Sequence, residues 1–317
     1  MLPAIEIDNK LVTESDEILL MLEKAYGPLG TSLEDKNILN LRNLERQLFR
    51  AWCIWLCNPS KNEHQEDRRQ EQFHLLALRL EECLQKSAEP FLDPVNERSD
   101  KCHPGTGDVI FIPYIERMNA SLAYYKGLTL RGKYPLIDKW LQALERLEVY
   151  RGTQGDFHTH SHDLPPQMGG CWPNHTPNQK KLAHLIDIGD GLGELECCLS
   201  LERAFSPEAV ALQRVLKHKN KIMEINPLSN DLLDQPLRAA LTNMVSETKE
   251  CIPDRNTALG LRYIKDRISV PRDMPLLSAR KLRQALETTA QRDSSMQGPP
   301  ISVQNRFDQN PEQFTEN

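Results

Sequence analysis

From Asn37 onward the apolar positions recur at spacings of three and four: Leu41, Leu44, Leu48, Trp52 and Trp55, then Phe73, Leu76, Leu80, Cys83 and Leu84. That spacing stacks side chains on one face of an α-helix and predicts two core helices. The charged, unpatterned segment Lys61 to Arg69 reads as their connection. A third helix is predicted near Asp108 to Tyr125, with Gly127 as its stop and Pro113 inside it, where the lost hydrogen bond should bend the chain. A fourth follows Pro135 and carries Ile137, Trp140, Leu141, Leu144 and Leu147.

The first thirty residues differ in pattern. Ala4, Ile5 and Ile7 precede Asp8-Asn9, and Lys10-Leu11-Val12 follow, which predicts two short strands joined by a tight turn. Thr13 then opens a helix with Asp16 at capping-box spacing, Ile18, Leu19, Leu22 and Ala25 form its apolar stripe, and Gly27-Pro28 ends it. Further on, Gly152 to Pro177 has glycines, prolines and histidines without sustained period and reads as a boundary. Ser206-Pro207-Glu208 is a strong helix start, because serine can cap open amides and proline fits the first turn. Further helices are predicted at Leu232 to Lys249 and Ala279 to Ala290, and the polar stretch beyond Gln291 is expected to be disordered.

Composition narrows the function classes. A chain of 317 residues is long enough for more than one domain. Its longest strongly apolar run, Val109 to Ile115, falls far short of the roughly 20 residues that cross a bilayer, so no membrane association is expected. A net charge of -6 with both signs mixed argues against a nucleic-acid surface. Eight cysteines at irregular spacing suit free thiols in a reduced compartment better than a disulfide framework. The first residues show neither a signal nor a transit composition.

Two segments then point to a family. Pro3-Ala4-Ile5-Glu6-Ile7-Asp8 followed by Thr13-Glu14-Ser15-Asp16-Glu17-Ile18-Leu19 resembles the last third of the thioredoxin-like domain of glutathione transferases. Phe111 to Met118 and Tyr134 to Trp140 resemble the all-helical second domain of that family. The run from Tyr150 through Phe157-His158-Thr159-His160-Ser161-His162-Asp163 to Cys171, with Tyr263 to Arg272, is similar to the iota class, where a long extra domain follows the transferase fold. The fold this implies is mainly α: an all-helical transferase domain preceded by a partial thioredoxin-like α/β unit and followed by a mostly helical extension. Its expected limits are 1–30 for the thioredoxin-like part, 31–155 for the helical domain, 156–290 for the extension and 291–317 for a disordered tail.

The resemblance implies glutathione-dependent transfer or thiol-disulfide chemistry, with glutathione as cosubstrate, no metal, and an electrophile or disulfide as second substrate. It assigns Leu2, Pro3, Glu14 and Ser15 to glutathione. A cis Pro3 would leave the Leu2 backbone open to the peptide's cysteine. The Ser15 hydroxyl and amide would hold the γ-glutamyl carboxylate at a helix N-terminus, and Glu14 would face the ammonium. The catalytic residue is expected upstream of Met1, leaving this chain alone inactive, in the cytoplasm or, with an upstream transit peptide, the plastid. The family often dimerises. A different class remains open: a non-catalytic binding or scaffold protein that kept the helical domain. One departure concerns the helix near Asp108, where the family's Ser or Thr cap is replaced by Gly105, a weaker cap.

Three other constellations carry residue types with chemistry of their own. His158, His160 and His162 with Asp163 carry zinc-ligand types, but no strand period supports them and a polar loop is the plainer expectation. Cys53 and Cys57, one helical turn apart among Trp52, Trp55 and Leu56, read as inert core thiols. Asp187 to Gly193 is a weak match to a phosphate loop, with no preceding strand and no Lys-Ser/Thr.

Overall fold

The computed structural model describes residues 4–7, 9–87, 89–96, 102–189, 206–246 and 250–293. The fold is mainly α. Two short hairpins, β1 (Ile5–Ile7) with β2 (Lys10–Val12) and β3 (Pro94–Asn96) with β4 (Cys102–Pro104), accompany thirteen helices among the described residues. These are α1 (Ser15–Tyr26), α2 (Lys36–Leu56), α3 (Glu63–Lys86), α4 (Thr106–Lys126), α5 (Leu130–Lys133), α6 (Pro135–Glu145) and α7 (Glu148–Thr153), then α8 (Phe157–Met168), α9 (Pro177–Asp187), α10 (Pro207–Ile225), α11 (Asn230–Val245), α12 (Ala258–Arg267) and α13 (Leu276–Gln291). No described helix is long and apolar enough to cross a membrane. Most of the expected tail, and all of Gly191 to Gly193, lie outside the described residues.

The chain divides into two compact units built from interleaved segments: 1–55, 60–115 and 134–144 in the first, 56–59, 116–133 and 145–317 in the second. In the first, the predicted stripe of α2 is buried through Leu44, Leu48, Trp52 and Trp55. Phe73, Ala77, Leu80 and Leu84 of α3, Phe111 and Ile115 of α4, and Ile137 and Trp140 of α6 are buried as well. Each such aliphatic or aromatic side chain removed from water contributes about 1.5–3 kcal/mol. The polar tips are satisfied: Trp55 Nε1 donates to Glu66 Oε1 at 2.8 Å.

Two expectations in this unit need correction. The helix α3 starts at Glu63, inside the segment read as a connection. Asn62 caps it by accepting from Gln65 N at 2.9 Å, and Glu63 and Glu66 sit where the helix dipole favours negative charge. Gly105 is likewise no mere weaker cap. The Asp93 carboxylate does the capping from outside the helix, taking Gly107 N on Oδ2 at 3.3 Å while it also holds Thr31 through its amide and hydroxyl. A Cβ on residue 105 would run into the Asp93 backbone oxygen, so the position must lack a side chain for Asp93 to approach. Inside the first turn, Asp108 accepts from Leu92 N (2.8 Å), Asp93 N (3.1 Å), Gly105 N (3.1 Å) and Trp140 Nε1 (2.7 Å).

In the second unit α13 packs against α10, α11 and α12. Their shared core contains Ala211 and Val215, Leu233, Leu237 and Ala240, Ala258 and Leu261, and Ala279, Leu282, Leu286 and Ala290. The alanines let the helix axes approach closely. Ala120 and Ala123 of α4 pack with Phe157 of α8 and Ile186 of α9 in a smaller cluster.

The segment Gly152 to Pro177, read as a boundary with a polar loop at its histidines, is largely helical. Asp156 caps α8 by accepting from Thr159 N at 2.9 Å, and Gly169 ends it at φ 77°. Pro165 has no N–H for the Ser161 carbonyl four residues back, the defect that normally excludes proline from a helix interior. Here the Tyr125 hydroxyl donates to that carbonyl at 2.9 Å, so it is not left without a donor.

Candidate functional site

The glutathione residues implied by the resemblance are only partly described. Leu2 and Pro3 lie outside the described residues; the cis peptide bond among the described residues is Val270–Pro271. Glu14 and Ser15 follow directly on the β1–β2 hairpin, whose turn carries Asn9 at φ 62°. Glu14 is the extended cap residue of α1, Ser15 opens the helix, and both are exposed. The anticipated Thr13–Asp16 capping box does not form: α1 has no side-chain cap hydrogen bond, and Asp16 pairs instead with Arg42. The first-turn amides of α1 are therefore left to solvent or to an anion.

The second unit gathers a denser set of chemical groups. Helical geometry, where a polar loop was the expectation, puts His158 and His162 on one face of α8 and turns His160 away. His160 Nε2 lies 2.8 Å from Glu116 Oε1, whose other oxygen accepts from Tyr150 at 3.2 Å. His162 Nε2 lies 2.8 Å from Asp187 Oδ1, and the Tyr124 hydroxyl donates to Asp187 Oδ2 at 3.1 Å. Tyr124 also meets the His162 ring edge-on at 4.9 Å. His158, only 2% exposed, places Nε2 at 3.6 Å from Asp266 Oδ1.

Behind these histidines stands a buried ionic network that no sequence period announced. Lys265 Nζ donates to Glu287 Oε2 at 2.8 Å, and Arg262 reaches Glu287 Oε1 through Nε at 3.2 Å and Nη2 at 3.0 Å. Arg283 bonds to Asp156 and Ile268 O, reaches Lys265 O at 3.3 Å, and approaches Thr159 Oγ1 at 3.5 Å. One guanidinium thereby ties the start of α8 and the end of α12 to α13. Burial pushes the Glu287 carboxyl up, but the charge of Lys265 and the hydrogen bonds from Arg262 and Lys265 outweigh it and hold it low.

Asp266 goes the other way. Burial lifts it from 3.8 to about 6, against the opposing charges of Lys265 and His162, with Asp187 adding to the rise. Between those values the native state binds a proton that the unfolded chain has lost, so this group's contribution to stability falls as pH rises from about 4 to 6. The lift corresponds to about 3 kcal/mol. We expect the stability of wild type relative to Asp266→Asn, followed by denaturant unfolding across that pH range, to fall by that order as pH rises; a pH-independent difference would refute the assignment. His158, Lys265, His162 and Asp187 are the groups facing it.

Among the described residues, His158, His162 and Asp187 form the one group of His, Cys, Asp and Glu side chains able to reach a single cation, with one donor atom each inside 4.8 Å of the others. His162 Nε2 and Asp187 Oδ1 already stand at hydrogen-bonding distance, 2.8 Å. The cavity beside this cluster, lined by Asp156, Phe157, His158 and Arg283, measures about 20 Å³. That is room for a single water, not for an organic substrate.

No family model, curated protein or solved structure matches this chain. The functional reading therefore stands on the residues themselves. Asp187 opens the segment that matches a phosphate loop only weakly, and its carboxylate is engaged by His162 and Tyr124. Asp156 precedes α8, Lys265 and Asp266 are neighbours in α12, and Arg283 and Glu287 lie one turn apart in α13; only their burial marks them.

Proposed function

We propose that this chain is a glutathione transferase-like protein that binds the γ-glutamyl end of glutathione at Glu14 and Ser15. The observation that carries the reading is the start of α1: a hairpin delivers an extended Glu14 and then Ser15 to a helix N-terminus with no side-chain cap. Open amides and the helix dipole suit a carboxylate, the Ser15 hydroxyl adds a donor, and the Glu14 carboxylate complements an ammonium. Glutathione presents both groups at that end. Leu2 and Pro3 complete the site in this reading, which assigns the catalytic group to none of the described residues. The second substrate is an electrophile or a disulfide.

Retention on immobilised glutathione and elution by the free peptide tests it. Glu14→Gln with Ser15→Ala should weaken binding about tenfold or more, the loss of one to two charge-assisted hydrogen bonds. Wild-type protein that flows straight through would leave the non-catalytic scaffold reading in its place.

A further inference from the structure

Cys57 directly follows α2, and Cys171 follows Gly169-Gly170 at the left-handed stop of α8. The two segments are joined backbone to backbone beside both cysteines, because Trp172 N donates to Leu56 O at 2.9 Å. The bonded groups are the peptide that joins Leu56 to Cys57 and the peptide that joins Cys171 to Trp172, so the two cysteines flank one hydrogen bond, and both are half-buried rather than sealed in the core. None of the described cysteines is in a disulfide.

We propose that Cys57 and Cys171 are a reversible dithiol–disulfide pair that exchanges with low-molecular-weight disulfides. Their electrostatics agree with that geometry. The hydrogen bond from Cys171 pulls the Cys57 thiol below its ordinary value, burial opposes this, and the Lys126 ammonium assists it, whereas burial pushes Cys83 and Cys102 up. Thiolate character selects the attacking sulfur.

The exchange balances as follows. Cys57 gives its proton to solvent, and its sulfur attacks one sulfur of R–S–S–R. A Cys57–S–S–R bond forms as the R–S⁻ leaving group departs with the electron pair of the broken bond. Cys171, after losing its own proton, attacks the Cys57 sulfur and expels the second R–S⁻. Both leaving thiolates take up protons, so one external disulfide is reduced to two thiols while the protein dithiol is oxidised. The pair lies outside the Glu14–Ser15 site, and its chemistry does not depend on glutathione binding there.

The full-length reduced chain, incubated with glutathione disulfide under native conditions and mapped by non-reducing peptide mass spectrometry, tests the proposal. The expected product lacks two hydrogens, contains a linked pair of peptides carrying Cys57 and Cys171, and reverts in excess reduced glutathione. Cys171→Ser should stop at one glutathionyl group on Cys57. With iodoacetamide at neutral pH, Cys57 should alkylate roughly tenfold faster than Cys83. A disulfide joining any other pair, glutathionylation of the wild type without a cross-link, or no reaction would each overturn the proposal. The wild-type map decides this even if the variant folds poorly.

Discussion

Arg283→Ala is expected to destabilise the second unit by about 3–5 kcal/mol, the range for removing one partner of a buried ion pair. The Arg283 side chain is 1% exposed, and its partner Asp156 is the N-cap of α8. Without the guanidinium, Asp156 stays buried with less compensation, and the carbonyls of Lys265 and Ile268 lose a donor. Arg283→Lys should recover only part of the loss, since one ammonium cannot reproduce bonds from three nitrogens of a planar group. Amide hydrogen exchange resolved by peptide is the suitable readout, with protection expected to fall across α8, α12 and α13. Exchange within about 1 kcal/mol of wild type in those helices would mean that the apolar core alone holds them.

The second large effect is expected at Asp108. Asp108→Ala would strand three backbone amides and the Trp140 indole N–H, all now bonded to one carboxylate that is fully buried. Each unsatisfied buried donor costs about 1–3 kcal/mol, and relaxation shares some of that, so a loss of about 3–5 kcal/mol is expected for the first unit. Asp108→Asn keeps the volume but turns an NH₂ group toward donors, and should cost roughly half as much. Three of the four tryptophans, Trp52, Trp55 and Trp140, lie in that unit and are buried, so most of the tryptophan fluorescence change during urea unfolding reports on it. A midpoint shift too small for about 1 kcal/mol would show that water replaces the carboxylate.

These two residues mark the line between what was readable in the chain and what was not. The spacing of Leu44, Leu48, Trp52 and Trp55, of Phe73, Leu80 and Leu84, and of Ile137, Trp140 and Leu141 is sufficient to predict α2, α3 and α6, because burial of an apolar face requires that period. The β1–β2 hairpin, the stop at Gly27 and the Ser206-Pro207 start were legible for local reasons: a polar turn pair, a permissive glycine, and a hydroxyl that caps Ala209 N. The mainly α class follows from those elements alone.

What the chain pattern misread were places where a distant group supplies the missing partner. Tyr125 supplies the donor that Pro165 lacks within a proline-bearing, histidine-rich segment that is nevertheless a helix. Asp93 caps α4 across a gap that Gly105 leaves open. The ionic cluster of Asp156, Arg262, Lys265, Asp266, Arg283 and Glu287 could not be read from the sequence either. A charged residue in sequence reads as surface, and only tertiary packing brings each one a partner strong enough to offset the loss of water. Local propensity and period are properties of neighbours along the chain and were determined by the sequence itself. The pairing of buried polar groups was decided by the tertiary structure, because their energy depends on which atoms meet after the core has closed.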